Sequence, residues 1–166
     1  MTEPRWLAEA RRDIGVTEIP GKGDSPIIRR WLTDLKAWWT DDATPWCGTA
    51  VAHWMLRAGI KPPQHWYRAL AWADWGVRLS RPALGAVVVY RRTGGGHVGL
   101  VVGTDAAGNV LTLGGNQGDQ VNIRPFDRQR VVAYRWPAGH VADWPHLVDA
   151  DAPLLASSGP LSSNEA

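Results

Sequence analysis

The sequence predicts an α+β domain, with helices first and an antiparallel sheet second. Up to about residue 76 the apolar residues recur at helical spacing. From Leu84 onward they fall instead into short β-branched or aromatic runs separated by glycines, asparagines and aspartates. The third observation is bulk composition: 166 residues, 45% hydrophobic and 20% charged, suit one domain with a buried core and exclude a chain disordered throughout.

Trp6, Leu7, Ala10 and Ile14 define a first helix that starts at Thr2 or Pro4 and stops at Gly15. Residues 18–26 read as a loop from their glycines and prolines. A second helix carries Ile27, Ile28, Trp31, Leu32 and Leu35 on its inner face. After residues 41–45 a third runs from Trp46 to Arg57, with Ala50, Val51, Trp54, Met55 and Ala58 inward and Gly59 as its stop. A shorter helix is expected over Tyr67 to Trp75. Strands are expected at Ala86–Tyr90, His97–Val102, Val110–Leu113, Gln120–Ile123 and Val131–Trp136, giving about five, joined largely by hairpin-length loops. The domain therefore covers residues 1–137. Residues 138–166 are rich in Ala, Ser, Pro and Asp and form a C-terminal extension expected to be partly disordered, although Trp144, Leu147, Leu154 and Leu155 offer docking groups.

Eighteen basic against sixteen acidic side chains give a formal charge of +2, a small excess for a nucleic-acid binder, so no nucleic acid is expected as partner. A single cysteine excludes an intramolecular disulfide and a cysteine-rich zinc site; no metal and no cofactor are expected. No apolar run approaches the roughly 18 residues of a membrane span, so insertion in a membrane is not expected. The first twelve residues include Glu3 and Glu9 and lack a continuous apolar stretch, which predicts synthesis in the cytoplasm without a cleaved signal peptide. Eleven tryptophans against one phenylalanine is an unusual ratio, and indole rings must fill much of the core or line a groove.

Cys47, in Pro45-Trp46-Cys47-Gly48, stands at or within the first turn of the third helix. Unpaired backbone N–H groups and the helix dipole favour a thiolate there, and a low thiol pKa follows as an expectation. The same N–H groups suit an oxyanion formed when sulfur attacks a carbonyl. The competing reading is a small buried residue in an amphipathic helix. His97 opens a strand behind three glycines, and the small Gly96 and Gly99 leave room for a close approach to its ring. His53 lies six residues beyond Cys47, off its helix face, and reads as structural; His65, His140 and His146 read as surface residues. A third group should fix the tautomer of His97. Asn116, Gln117 and Asp119, in the polar turn after the third strand, all compete for that role, and the neighbouring glycines soften the register. Composition alone makes Asn116 a turn residue tolerant of left-handed backbone.

These residues, in this order, resemble papain-like cell-wall cysteine hydrolases of the CHAP and NlpC groups, in a phage or bacterial peptidoglycan hydrolase subfamily. The matching motifs are Ile14-Gly15-Val16-Thr17-Glu18-Ile19-Pro20-Gly21, Asp41-Asp42 before Pro45-Trp46-Cys47, Gly96-His97-Val98-Gly99, Leu113-Gly114-Gly115-Asn116-Gln117 and Tyr134-Arg135-Trp136-Pro137. The resemblance implies a papain-like fold with the cysteine helix packed on the sheet. It implies Cys47 as nucleophile, His97 as base and then acid, and Asn116 as the orienting residue. Two positions depart from the pattern: Ala86 stands where many relatives carry Asp, and Gly114 stands where many CHAP domains carry Glu. The second oxyanion donor is open; Asp41, Asp42 or a nearby backbone amide borders that space.

Trp31, Trp54 and Trp136 are expected in the core. Trp38, Trp39, Trp46, Trp66, Trp72 and Trp75 lie in or near loops, and Trp46, beside the nucleophile, is the first candidate for substrate contact, with Gly96 a second. The implied function is cleavage of a peptide or amide bond in peptidoglycan, by an endopeptidase or an N-acetylmuramoyl-L-alanine amidase. Its substrate is the expected partner, and a monomer is expected. An endolysin released through a holin is one role. A delivered antibacterial toxin with an immunity protein is another, both acting on the wall from the periplasmic side. From a different class comes a catalytically inactive wall-binding or phage-structural module on the same fold. A cysteine acyltransferase or deamidase is a third option, since the same groups attack any suitably held carbonyl.

Overall fold

The computed structural model describes residues 3–19, 23–42 and 44–140. Nearly all of the C-terminal extension, with the docking groups suggested above and His146, lies outside the described residues.

Three helices precede the sheet. The first, α1 (Arg5–Arg12), begins after Pro4 and buries Trp6, Leu7 and Ala10 on one stripe, with Arg11 and Arg12 favourably placed in its last turn. The second, α2 (Pro26–Asp34), has Pro26 in its first turn, and the Ser25 hydroxyl accepts from the Ile28 N–H at 3.4 Å. The third, α3 (Cys47–Arg57), is buried at every position from Cys47 to Met55 and exposed only in its last two residues. It is the central helix, packed against α1 and α2 and against two strands of the sheet. Indole N–H groups tie the layers together: Trp54 donates to Asp13 at 2.8 Å, and Trp6 donates to the Gly85 carbonyl at 2.7 Å.

The sheet has six antiparallel strands where about five were expected. They are β1 (Val77–Leu79), β2 (Val87–Arg92), β3 (Gly95–Thr104), β4 (Val110–Gly114), β5 (Asn122–Phe126) and β6 (Val131–Trp136), in the spatial order β1-β6-β2-β3-β4-β5. The additional strand is β1, which pairs only with β6. The expected strand at Gln120–Ile123 lies further along: Gln120 makes a lone bridge to Thr17, and the strand proper is β5. The expected short helix is a 3₁₀ segment, Ala69–Asp74, which packs on β2, β3 and β6.

Both α3 and the 3₁₀ segment contact β3, and that double contact positions the site. In the β2–β3 hairpin Tyr90 stands opposite His97, and Val88 stands opposite Gly99. The α+β architecture expected from the two hydrophobic periods is the one observed, with the cysteine helix laid on β3 and β4.

Candidate active site

Cys47 is the first residue of α3 and is 5% exposed. It sits at the floor of a cleft of about 300 Å³, lined by Pro45, Tyr67, Arg68, Ala69, Leu70, Arg92, Gly95 and Gly96 as well. Helix and strand meet closely here. A side chain at Gly48 would collide with the Trp66 carbonyl, so only glycine lets the start of α3 reach this depth. The backbone N–H groups of Cys47 and Gly48, from the helix start, and of Val98, from β3, act on the sulfur and favour its charged form, as does the Arg92 guanidinium. Burial opposes them and is the larger effect, so the thiol is pushed up from its ordinary value rather than down. The expectation of a low thiol pKa is therefore corrected: a helix start favours a thiolate only where the sulfur keeps access to water.

His97 is fully buried on β3, one residue before the N–H that meets the sulfur. Its ring stacks on Phe126 at 5.1 Å and 7°, and on Tyr90 at 6.3 Å and 24°. Tyr90 is held in turn by Thr112, hydroxyl to hydroxyl at 2.6 Å. The imidazole Nε2 lies 3.0 Å from Oε1 of Gln117.

The orientation of that amide follows from its other end. Gln117 Nε2 donates to the carbonyls of Thr112 (3.2 Å) and Asn122 (2.9 Å) and to Oδ1 of Asn122 (2.9 Å). Turning the amide over would point its oxygen at three acceptors. Oε1 therefore faces His97, and because it only accepts, the His97 proton resides on Nε2 and Nδ1 is the basic nitrogen. Asn122 completes the clamp by donating its Nδ2 to the Gln117 carbonyl at 3.0 Å.

Where the resemblance implied Asn116 as the residue on the ring, the hydrogen bond at Nε2 is made by Gln117. Asn116 is its buried neighbour in the turn, with the left-handed backbone expected of it, φ 58°. Gly114 makes room for that contact: a Cβ there would strike Gln117 Oε1 and come within 3.3 Å of His97 Nε2. The bare glycine, where many relatives carry Glu, leaves the volume that the longer Gln117 side chain enters from three residues on. Asn122 was missed by sequence reasoning, and nothing in its local pattern marks it.

Other expectations are corrected by burial and hydrogen bonding. Trp46 is 1% exposed, packs 6.1 Å from Trp31, and donates its indole N–H to Glu18 at 2.9 Å. It supports the helix start from beneath and offers no face to a substrate. That bond favours the charged Glu18, but burial outweighs it and pushes the carboxyl upward. Asp42 does not border the cleft; its carboxylate accepts from the N–H groups of Ile19 (2.9 Å) and Ser25 (2.7 Å). Asp41 holds Thr44 through its N–H (2.7 Å) and hydroxyl (2.8 Å). Gly96 does line the cleft. The exposed aromatic surface is built instead by Trp38, 89% exposed, with Trp39, Trp66 and Tyr67, whose rings touch in sequence and reach the cleft through Tyr67. Among the described residues no group of three His, Cys, Asp or Glu side chains is placed to hold a metal ion, and no helix is long and apolar enough to cross a membrane.

No curated protein and no solved structure matches the chain. A family does: the matched segment holds Cys47, His97 and Asn116 and stops one residue short of Gln117. Proteins of this kind are usually amidases or peptidases acting on peptidoglycan. With α3 laid on β3 and β4 inside that segment, residues 39–116 match the CHAP domain.

Proposed function

We propose that this domain hydrolyses a peptide or amide bond of peptidoglycan, with Cys47 as nucleophile, His97 as base and then acid, and Gln117 as the residue that fixes the imidazole. The observation that carries the proposal is the hydrogen bond from His97 Nε2 to a carboxamide oxygen that cannot turn away. It sets the basic nitrogen on a strand whose next N–H meets the Cys47 sulfur.

Burial keeps the thiol neutral at rest, so proton transfer accompanies attack. The sulfur bonds to the scissile carbonyl carbon while its proton passes to Nδ1 of His97. The carbonyl oxygen becomes an oxyanion beside the N–H groups at the start of α3. Collapse breaks the C–N bond, and the imidazolium gives its proton to the leaving amine, leaving a thioester. Water then adds to the thioester as His97 takes its proton, and the thiol is restored as the carboxylic acid departs.

Digestion of purified peptidoglycan tests this. New free amino groups, or stem peptides released from the lactyl ether, should appear without new reducing sugar ends. Iodoacetamide should stop the reaction. The rate of alkylation should rise with pH along a curve displaced above that of an ordinary thiol, the direction set by burial. New reducing ends in step with lysis, without amines or freed peptides, would overturn the proposal.

A further inference from the structure

The charges around the cleft go beyond bond type and bear on which stem peptides enter. Among the residues lining it, the only charged side chains are Arg68 and Arg92. They approach from different elements: Arg68 precedes the 3₁₀ segment and Arg92 ends β2. Arg68 lies over the Tyr67 ring, 5.7 Å from its centroid, and Arg92 Nε donates to the Gly96 carbonyl at 3.2 Å. Each guanidinium is thus steadied by a neutral group, and among the described residues neither forms an ion pair with a carboxylate. The remaining lining is Pro45, Tyr67, Ala69, Leu70 and glycine, apart from the nucleophile itself. Two cations without a carboxylate partner among the described residues thus line the cleft that holds Cys47. Their fork-shaped donors match a carboxylate.

Resting on the hydrolase reading above, we propose that Arg68 and Arg92 form a carboxylate subsite beside Cys47, which selects stem peptides bearing a free carboxylate next to the scissile amide over those in which it is amidated. The carboxylate takes charge-assisted hydrogen bonds from one or both guanidinium groups, while the apolar wall covers the adjoining aliphatic chain.

The probes are two synthetic muramoyl stem peptides of one sequence, one with free side carboxylates and one with all of them amidated. Binding is measured by calorimetry to the Cys47→Ala protein, and cleavage with the active enzyme. The free acid should bind at least about tenfold more tightly, the range of one or two charge-assisted bonds. That preference should shrink as salt is raised. Arg68→Gln should bring the ratio of the two affinities toward one, and Arg68→Lys should restore part of it. Arg92→Gln should also lower the ratio, but Arg92 acts on the sulfur as well, so Arg68 is the cleaner position for turnover. Equal affinity for the two peptides, or equal loss for both in Arg68→Gln, overturns the subsite. A preference in binding with no cleavage by the active enzyme keeps the subsite and overturns the hydrolase reading. Cleavage of both peptides without preference does the reverse.

Discussion

The surroundings of His53 and His97 make a controlled comparison. Both rings are buried, both stack on an aromatic ring, and both place Nε2 about one hydrogen bond from a side-chain oxygen. His53 lies within α3 against Trp31 and meets Asp34 at 2.9 Å. The Asp34 side chain is 46% exposed, so solvent screens its charge. Burial lowers the His53 pKa despite that partner, and the ring stays neutral in the core. His97 has a neutral partner whose direction is locked by three other contacts. A carboxylate at the surface stabilises a ring loosely; an immobilised carboxamide inside the protein chooses its tautomer. The second arrangement suits a group that must take up a proton and return it.

The largest difference between the two histidines should appear in turnover. Cys47→Ala should abolish cleavage with an unchanged circular dichroism spectrum. His97→Ala should lower kcat by about a thousandfold, within the usual range for a general base. A His97→Ala enzyme that retains wild-type turnover would break the comparison.

Next in size is the clamp. Gln117→Ala should cost about ten- to a hundredfold in kcat, less than removal of the base itself. Asn116→Ala should cost less than Gln117→Ala, because the hydrogen bond at Nε2 belongs to Gln117. The reverse order, measured on one peptidoglycan substrate, would return the orienting role to Asn116. Gly114→Ala should act like a weaker Gln117 deletion by pushing the carboxamide off the ring, with an overpacking cost of about 1–3 kcal/mol read from denaturant unfolding.

The smallest effect belongs to His53. His53→Gln should leave kcat unaltered and lower stability by about 1 kcal/mol through the lost bond to Asp34. The pH dependence carries the sign. Because the folded His53 pKa lies below the ordinary 6.5, the unfolded chain binds the proton more readily as pH falls through that value. Stability should be fully present above pH 6.5 and decline below it, and His53→Gln should remove that part of the decline. Thermal unfolding between acidic and neutral pH measures both.

Much of this arrangement is legible in the sequence because it rests on period and on small residues. The inner stripe of α3, the helix stop at Gly59 and the glycines flanking His97 each report a local constraint. The choice between Asn116 and Gln117 is not local. Asn116, Gly118 and Asp119 all adopt left-handed backbone, with φ of 58°, 64° and 62°, and such a turn erases the alternation that would tell which side chain points at the ring. The direction is decided by Asn122 and Thr112 across the turn, and the one sequence trace of it is the empty position at Gly114. β1 escapes notice for another reason: of its three residues only Leu79 is buried, and pairing with β6 alone makes it a strand. Pro125 argues against a strand at residues 122–126, yet β5 is at the sheet edge, where a missing N–H costs little. Trp46 was misread because adjacency in sequence to the nucleophile says nothing about which way an indole turns.

The strand order also dictates when the protein can be finished during synthesis. β6, the last strand, inserts between β1 and β2, so residues 77–79 and 87–90 wait for residues 131–136 before their ladders close. Until then Val87, Val88 and Val89 present a bare β-branched edge, the kind of surface that templates aggregation. A chain interrupted before Val131 would carry Cys47, His97 and Gln117 intact and still lack the strand that pairs the far side of β2. Such nonlocal closure slows folding, and it makes the nascent chain, rather than the finished domain, the species most in need of a chaperone.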